Sequence, residues 1–216
     1  MQMKEQIHKT ELFVQQALAM DSTGHDWHHI ERVRRNALYI WEKEKQGDRF
    51  VIEMAALLHD IPDEKLNESA ASGEKKLMDF LQTLHLEKEL QQKIVEVIDS
   101  ISFKGGHNPP PLWTEGKIVQ DADRLDAIGA IGIARTFAYG GKKGRSMYDP
   151  SKKAREQMTM EEYRNGDSST VQHFYEKLFK LKDLIHTETA RAMAEKRHLF
   201  MEQFLEEFYE EWNGQF

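Results

Sequence analysis

An adjacent histidine and aspartate, His59 and Asp60, stand at the end of a strongly apolar segment. Pro62 follows within two residues, and because proline cannot continue a helix, the pair is predicted to lie where a buried helix ends. The last carbonyl groups of a helix are unpaired there, and an imidazole beside a carboxylate offers nitrogen and oxygen ligands for a metal ion. One such pair is weak evidence by itself, and a metal site needs further ligands from other segments.

Two other helical segments supply those ligands. His29 lies beside Val33 on the apolar side of its segment, so its ring should point to the interior. Asp123 follows Val119 by one turn of a later segment, which turns its carboxylate inwards, and Asp126 one turn further on could also face the site. Each residue alone would be an ordinary polar side chain. Burying several of them without a cation is costly, and together they therefore predict a metal site.

Composition limits the classes of protein to which the chain can belong. Its 216 residues are 39% hydrophobic and 31% charged, as in a soluble globular protein. Cysteine is absent, so any metal must be held by nitrogen and oxygen. The formal net charge of -7 argues against nucleic acid as a partner. There is no apolar run near the ~20 residues that a membrane span needs and no signal-peptide core, so we expect a cytoplasmic protein that does not bind membranes.

The hydrophobic pattern is helical throughout and predicts one all-α domain, a helical bundle covering residues 1–216. Its metal-binding core is expected over about 21–150, with C-terminal helices over 168–212 packing on that core. Residues 63–73 and the glycine-rich segment 140–145 are predicted loops. The apolar stripe of the last helix is predicted to lie in the core: Met193, Phe200, Phe204, Phe208 and Trp212. The predicted helices run to about residue 20 and then over about 26–45, 49–59, 74–85, 87–101, 115–128 with a continuation or restart over 131–138, 169–182 and 187–212.

The sequence resembles the HD-domain superfamily of metal-dependent phosphohydrolases. Residues 29–33, the pair His59-Asp60 and residues 123–125 follow the order and approximate spacing of that superfamily's metal signature. The likeness extends from about residue 25 to 150. Residues 24–27, 101–106, 121–135 and 139–141 are similar to the bacterial YpgQ-like subgroup, whose members are regarded as nucleotide pyrophosphohydrolases. The resemblance implies a helical HD-type bundle with four metal ligands: His29, His59, Asp60 and Asp123, with Asp126 as the alternative to the last.

Such a ligand set suits the hydrolysis of a phosphate ester or anhydride. Four protein ligands leave about two positions of an octahedral shell for a phosphate oxygen and a water molecule. The metal polarises the phosphate and lowers the pKa of its water from 15.7 towards about 7. The mixed nitrogen and oxygen shell makes Mn²⁺ the expected metal, with Fe, Co, Ni, Mg and Zn as alternatives.

Groups for proton transfer and substrate binding are expected around the metal. The candidates for proton transfer or for orienting water are Asp63, Glu68 and Asp126. Because the net charge is negative, an anionic substrate needs local cations, and Tyr139 could stack on a base. The predicted substrate-binding residues are Arg32, Lys65, Lys104, Arg135, Tyr139, Lys142 and Lys143. Four histidines outside this set are expected on the surface: His85, His173, His186 and His198.

The leading hypothesis is the hydrolysis of a nucleoside triphosphate, including deoxynucleotides, to the monophosphate and pyrophosphate. A phosphomonoesterase or phosphodiesterase acting on nucleotides is the alternative within the same class. A regulatory module that binds a nucleotide without turning it over is the alternative from another class. In each case the partner is a small-molecule nucleotide, and the sequence leaves the oligomeric state open.

Overall fold

A computed structural model describes residues 2–19, 26–64, 66–101, 110–153, 155 and 168–215. Within these residues every regular element is a helix, which confirms the all-α prediction. Two short 3-10 helices, Leu178–Lys180 and Lys182–Leu184, lie between the last two α-helices. The α-helices of the described residues, numbered here in chain order, are α1 (Gln2–Ala17), α2 (Trp27–Glu44), α3 (Arg49–Leu58), α4 (Ala70–Thr83), α5 (Lys88–Ile101), α6 (Thr114–Asp126), α7 (Gly129–Lys142), α8 (Thr170–Glu176) and α9 (Glu188–Trp212).

The chain divides into two compact units, Met1–Ala122 and Asp123–Phe216. Their boundary falls inside α6, whereas the sequence pattern placed the end of the metal-binding core near residue 150. The assignment of residues 1–216 to one domain, with the C-terminal helices packing on the core, stays a prediction.

Helix α3 is the centre of the first unit. Every residue from Phe50 to Leu58 is buried, including the carboxylic acid Glu53. The helix packs against α1, α2 and α5, as expected for a segment that is apolar on most sides. On α2 the fully buried residues recur every three or four positions, which gives one apolar face: Ile30, Val33, Ala37 and Ile40.

Helix α4 begins at Ala70, four residues before the predicted start. Ser69 and Ser72 form a capping box in which the Ser69 hydroxyl accepts from the Ser72 amide at 3.2 Å and the Ser72 hydroxyl accepts from the Ser69 amide at 3.1 Å. Gly73 suggested a loop, yet it lies in the helix. A β-carbon there would stand 2.6 Å from the carbonyl oxygen of Pro62, so this glycine permits a close approach of two backbone segments.

Two glycine positions in the second unit had opposite outcomes. Gly129 separates α6 from α7 with a φ of +76°, a conformation that favours glycine, so the helix restarts here and does not continue. Gly140 was placed in a basic loop, and this prediction is wrong because α7 continues to Lys142. A β-carbon at Gly140 would lie 2.2 Å from Thr170 Oγ1, so the glycine allows α7 to approach α8 closely.

The helix that the sequence predicts over 169–182 is shorter in the structure, because α8 ends at Glu176.

An aromatic cluster fills much of the second unit. The ring centroid of Phe137 lies 5.9 Å from that of Phe204 and 6.4 Å from that of Phe208. The predicted stripe is correct for these two α9 residues but wrong for Phe200 and Trp212, which are 48% and 47% exposed. The buried line of α9 is shifted around the helix: Ala190, Ala194, His198, Met201 and Leu205. The surface prediction for His198 is therefore wrong, since only 8% of it is exposed.

His173 was predicted on the surface, but it is half-buried in the second unit. Burial lowers the pKa of His173 to about 3, and the charges of Lys177 and Arg145 act in the same direction. Because the folded-state pKa lies below the unfolded value of 6.5, the unfolded chain binds this proton more tightly. The stability contribution is present above pH 6.5 and is lost as the pH falls towards 3.

Between pH 7 and pH 5, we expect protonation of His173 to lower the free energy of unfolding by roughly 2 kcal/mol. Urea denaturation of the wild type and of His173→Phe at both pH values measures it. The variant should lose clearly less stability than the wild type. An equal loss in both proteins would contradict the assignment.

Candidate metal centre

His59 and Asp60 directly follow the last residue of α3, where the sequence placed them. The chain turns at this point, since the Ile61 amide donates to the Leu58 carbonyl and the Asp63 amide to the Asp60 carbonyl, each at 3.0 Å. The side chains of the pair remain inside the unit, with His59 9% and Asp60 7% exposed. The buried helix therefore delivers an imidazole and a carboxylate to one enclosed point.

Three predicted ligands converge in the first unit. Nε2 of His29 lies 3.5 Å from Oδ2 of Asp60, and Nε2 of His59 lies 3.4 Å from Oδ1 of the same carboxylate. The two imidazole rings have centroids 5.4 Å apart and meet at 68°. Two ring nitrogens and two carboxylate oxygens thus surround one small region of space.

The orientation of His59 fits a metal ligand. Its Nδ1 lies 2.9 Å from the carbonyl oxygen of Ala56, and because a carbonyl only accepts, Nδ1 carries the proton in this hydrogen bond. Nε2 of the neutral ring then presents a lone pair on the side of Asp60. A hydrogen bond from the second nitrogen to a backbone carbonyl is the usual support of a metal-bound histidine. A cation would relieve the repulsion between this lone pair and the carboxylate, so the donor set fits a divalent metal.

His29 is positioned by the first turn of α2. Asp26 is the N-cap residue, and its Oδ1 accepts a hydrogen bond from the His29 amide at 2.8 Å. This bond fixes the backbone of a residue that is only 1% exposed, whereas the neighbouring His28 is exposed. An aspartate three residues before the histidine is a cap signal that the sequence contains.

Replacing Asp26 with alanine is expected to cost about 1 kcal/mol of stability and to weaken metal binding, because the cap and the first ligand share one helical turn. Thermal denaturation and a metal titration measure the two effects. Ser69→Ala is the matched control, since it removes the cap of α4 at a similar cost but should leave metal affinity unchanged. Unchanged metal affinity in Asp26→Ala would refute the positioning role.

The remaining predicted ligand, Asp123, is carried by α6. This helix is unbroken from Thr114 to Asp126, and the side-chain amide of Asn36 on α2 donates to the Ala122 carbonyl at 3.5 Å. Asp123 is the next residue of the same helix and is partly buried. Asp123 is also the first residue of the second unit, and its role as a metal ligand stays a prediction.

Asp126 has a different environment in the second unit. It is 2% exposed, and its Oδ2 accepts a hydrogen bond from Arg135 Nη1 at 2.5 Å. The charge of Asp126 also acts on Arg197. Burial lowers the pKa of Arg197, and the negative charge of Asp126 opposes that lowering. Its Nη1 donates to the Leu125 carbonyl at 2.5 Å. The Asp126 carboxylate therefore has arginine partners, and the guanidinium of Arg135, predicted to bind substrate, is paired with it.

The other predicted acids follow the metal-binding turn. Asp63 is half-buried and lies three residues after Asp60, whereas Glu68 is exposed. Arg32 is half-buried on α2, one turn beyond His29. The predicted substrate residues Lys65 and Lys104 lie outside the described residues.

The remaining predicted substrate residues lie at the end of α7. Tyr139 is 37% exposed, and Lys143 Nζ lies 5.8 Å from its ring centroid. Arg145, another basic residue of the glycine-rich segment, places its guanidinium carbon 5.9 Å from the same centroid. Lys142 and Lys143 are exposed. The C-terminal end of α7 thus carries an accessible aromatic ring with basic side chains beside it.

Comparison with known proteins places these residues in a family. The model of the HD domain matches residues 26–128, a range that contains all four predicted metal ligands. YpgQ from Bacillus subtilis (strain 168), described as uncharacterized, is 41% identical over 216 residues, which cover 98% of this chain and 97% of YpgQ. The chain belongs to the HD-domain family. HD-superfamily hydrolases are metal-dependent phosphohydrolases.

Solved structures agree with this assignment of the HD domain. An HD-superfamily hydrolase from Bacillus thuringiensis is 50% identical, with 99% of this chain and 100% of that chain covered and a TM-score of 0.79. Bacillus subtilis YpgQ in complex with ADP is 39% identical, with coverage of 98% and 97% and a TM-score of 0.78. None of the described helices of the HD-domain protein is long and apolar enough to cross a membrane.

Proposed function

We propose that this HD-domain protein hydrolyses nucleoside triphosphates, including deoxynucleotides, to the monophosphate and pyrophosphate in a metal-dependent reaction. The observation that carries the proposal is the convergence of the His29 and His59 Nε2 atoms, at 3.5 and 3.4 Å, on the two oxygens of Asp60. An enclosed set of two imidazoles and a carboxylate is suited to a divalent cation, and a cation of this kind is the usual catalyst of phosphate hydrolysis.

The proposed ligands are His29, His59, Asp60 and Asp123, and the proposed metal is Mn²⁺. When bound, the cation would polarise a phosphoryl oxygen and lower the pKa of a water molecule. Asp123 is preferred to Asp126 because the second carboxylate is buried against Arg135, which already compensates its charge. In the proposed set, Asp123 is the second carboxylate beside Asp60, and its negative charge would help to compensate the charge of the cation.

Proton transfer is assigned to Asp63. Its amide donates to the Asp60 carbonyl, so the same turn that holds a metal ligand also holds this acid. Glu68 follows in the same connection and is the alternative, although it is exposed to solvent. The carboxylate in this role accepts a proton from the attacking water and passes it to solvent or to the leaving group. We assign Asp126 a positioning role through its ion pair with Arg135.

The nucleotide assignment draws support from a relative. The complex of YpgQ with ADP shows that a protein 39% identical to this chain binds an adenine nucleotide. A chain with a formal charge of -7 needs local cations to attract such an anion. We propose that Arg32, Lys142 and Lys143 contact the phosphates and that Tyr139 stacks on the base.

Product analysis tests the proposed reaction. The Mn²⁺-loaded protein is incubated with dATP in ¹⁸O-labelled water, and the products are separated by anion exchange. The expected products are pyrophosphate and dAMP, with the label in dAMP because water attacks the α-phosphorus. Release of orthophosphate with dADP would instead identify hydrolysis at the terminal phosphate. Binding of dATP without turnover, across the divalent metals named above, would identify a regulatory nucleotide-binding module.

A further inference from the structure

A groove in the first unit lies between α1 and one face of α4. Its volume is about 500 Å³, within the about 300–1,000 Å³ of small-molecule sites, and the groove is widely open to solvent. Phe13 is its contribution from α1, and the residues from α4 recur every three or four positions along one helical face: Ser72, Lys75, Lys76, Asp79, Phe80 and Thr83. None of these residues belongs to the proposed metal centre or to the proposed nucleotide contacts.

Phe13 and Phe80 form the apolar wall of this groove. Their rings are nearly parallel, at 5°, with centroids 3.9 Å apart. Both side chains are half-buried, so part of the stacked pair still faces solvent. A flat aromatic surface of this kind offers a further planar ring both apolar contact and stacking.

The charges of the groove favour an anion. Lys75 Nζ lies 2.5 Å from Asp79 Oδ2, and this ion pair neutralises both residues. Lys76 is half-buried and leaves the lining with a net charge of +1, from two lysines and one aspartate. The chain as a whole carries -7, so a locally cationic groove stands out from the general charge of the protein.

The hydroxyl groups of the groove are engaged within α4. The Ser72 hydroxyl donates to the Ser69 carbonyl at 2.8 Å, and the Thr83 hydroxyl donates to the Phe80 carbonyl at 2.6 Å. Their protons are therefore already used, and Lys76 is left as the donor that can recognise a negative group.

We propose that the groove binds a small planar aromatic molecule with a single negative charge, such as an aromatic carboxylate or sulfonate. The ring stacks on the pair of Phe13 and Phe80, and the anionic group forms an ion pair with Lys76. This is a binding site separate from the proposed hydrolytic reaction, and its occupancy does not require a metal.

Two fluorescent probes that differ in charge test this site on the full chain. The anionic probe is 1-anilinonaphthalene-8-sulfonate, and the neutral one is N-phenyl-1-naphthylamine. We expect each to bind once per chain. Lys76→Glu should weaken the sulfonate about fivefold and change the neutral probe less than twofold, because only the ion pair is lost. Lys88→Glu, an exposed lysine on α5, is the control for a change in net charge and should alter neither affinity by more than about twofold.

Phe80→Leu separates stacking from charge. Leucine keeps an apolar side chain in the groove, so the fold is retained, but it removes the ring and should weaken both probes about threefold or more. Equal affinity of the sulfonate for the wild type and Lys76→Glu would overturn the proposal. Absence of sulfonate binding to the wild type, or unchanged binding of both probes to Phe80→Leu, would overturn it as well.

Discussion

His59→Ala and Asp60→Ala are each expected to lower kcat/KM for dATP by about 10³-fold, because the loss of a metal ligand removes several kcal/mol of transition-state stabilisation. Both side chains are enclosed, and both face the same small region as His29. Initial rates with saturating Mn²⁺ measure the effect. Asp60→Asn should be almost as impaired, since it keeps the shape of the side chain but removes the charge that compensates the cation.

His85→Ala is the matched control for the histidine substitution. His85 is exposed and follows α4, outside the proposed ligand set, so its loss should leave kcat/KM within about twofold of the wild type. Circular dichroism establishes that each variant is folded. Retention of wild-type turnover in a folded His59→Ala or Asp60→Ala variant would remove these residues from the reaction.

Arg34→Met is expected to destabilise the first unit by about 3 kcal/mol, which would lower Tm by roughly 10 °C. Nε and Nη2 of Arg34 donate to Glu53 Oε1 at 3.0 and 2.6 Å, and Nη1 donates to Glu11 at 2.5 Å. Burial lowers the pKa of Arg34, but the contacts with the two carboxylates outweigh burial and raise that pKa. Methionine would leave Glu53, which is 2% exposed on the central helix, without its principal compensation.

Arg35→Met provides the comparison, since Arg35 forms an exposed ion pair with Glu31 one turn away on the same helix. Such a pair contributes about 0.5 kcal/mol or less. Thermal denaturation of the two variants should therefore give clearly different values of Tm. A similar small shift in both would show that the buried pair contributes no more than an exposed one.

The position of the His59-Asp60 pair could be predicted because its causes are local. An apolar run predicts the buried α3, and Pro62 predicts its end. The same reasoning placed His29 correctly on the buried side of α2. These predictions depend on helical periodicity and on a residue that cannot continue a helix, both of which are visible in a single sequence.

Other features could not be predicted because their causes are distant in sequence. Asp126 was considered for the metal site and Arg135 for the substrate, whereas the two form an ion pair on either side of the break at Gly129. Gly140 lies within a helix rather than a loop, and a glycine is needed there because a side chain would collide with Thr170. Both features depend on contacts between residues that are distant in sequence, and hydrophobic periodicity does not show which residues form such contacts.

A titration of the chelator-treated protein with Mn²⁺ tests the proposed metal centre most directly. Electron paramagnetic resonance measures the concentration of the free ion at each step. One ion per chain should bind to the wild type and to Asp126→Asn, which keeps its hydrogen bond to Arg135. Affinity should fall at least about tenfold in His59→Ala and Asp123→Asn, because each loses a ligand. Unchanged Mn²⁺ affinity in both ligand variants, or a loss confined to Asp126→Asn, would contradict the proposed centre.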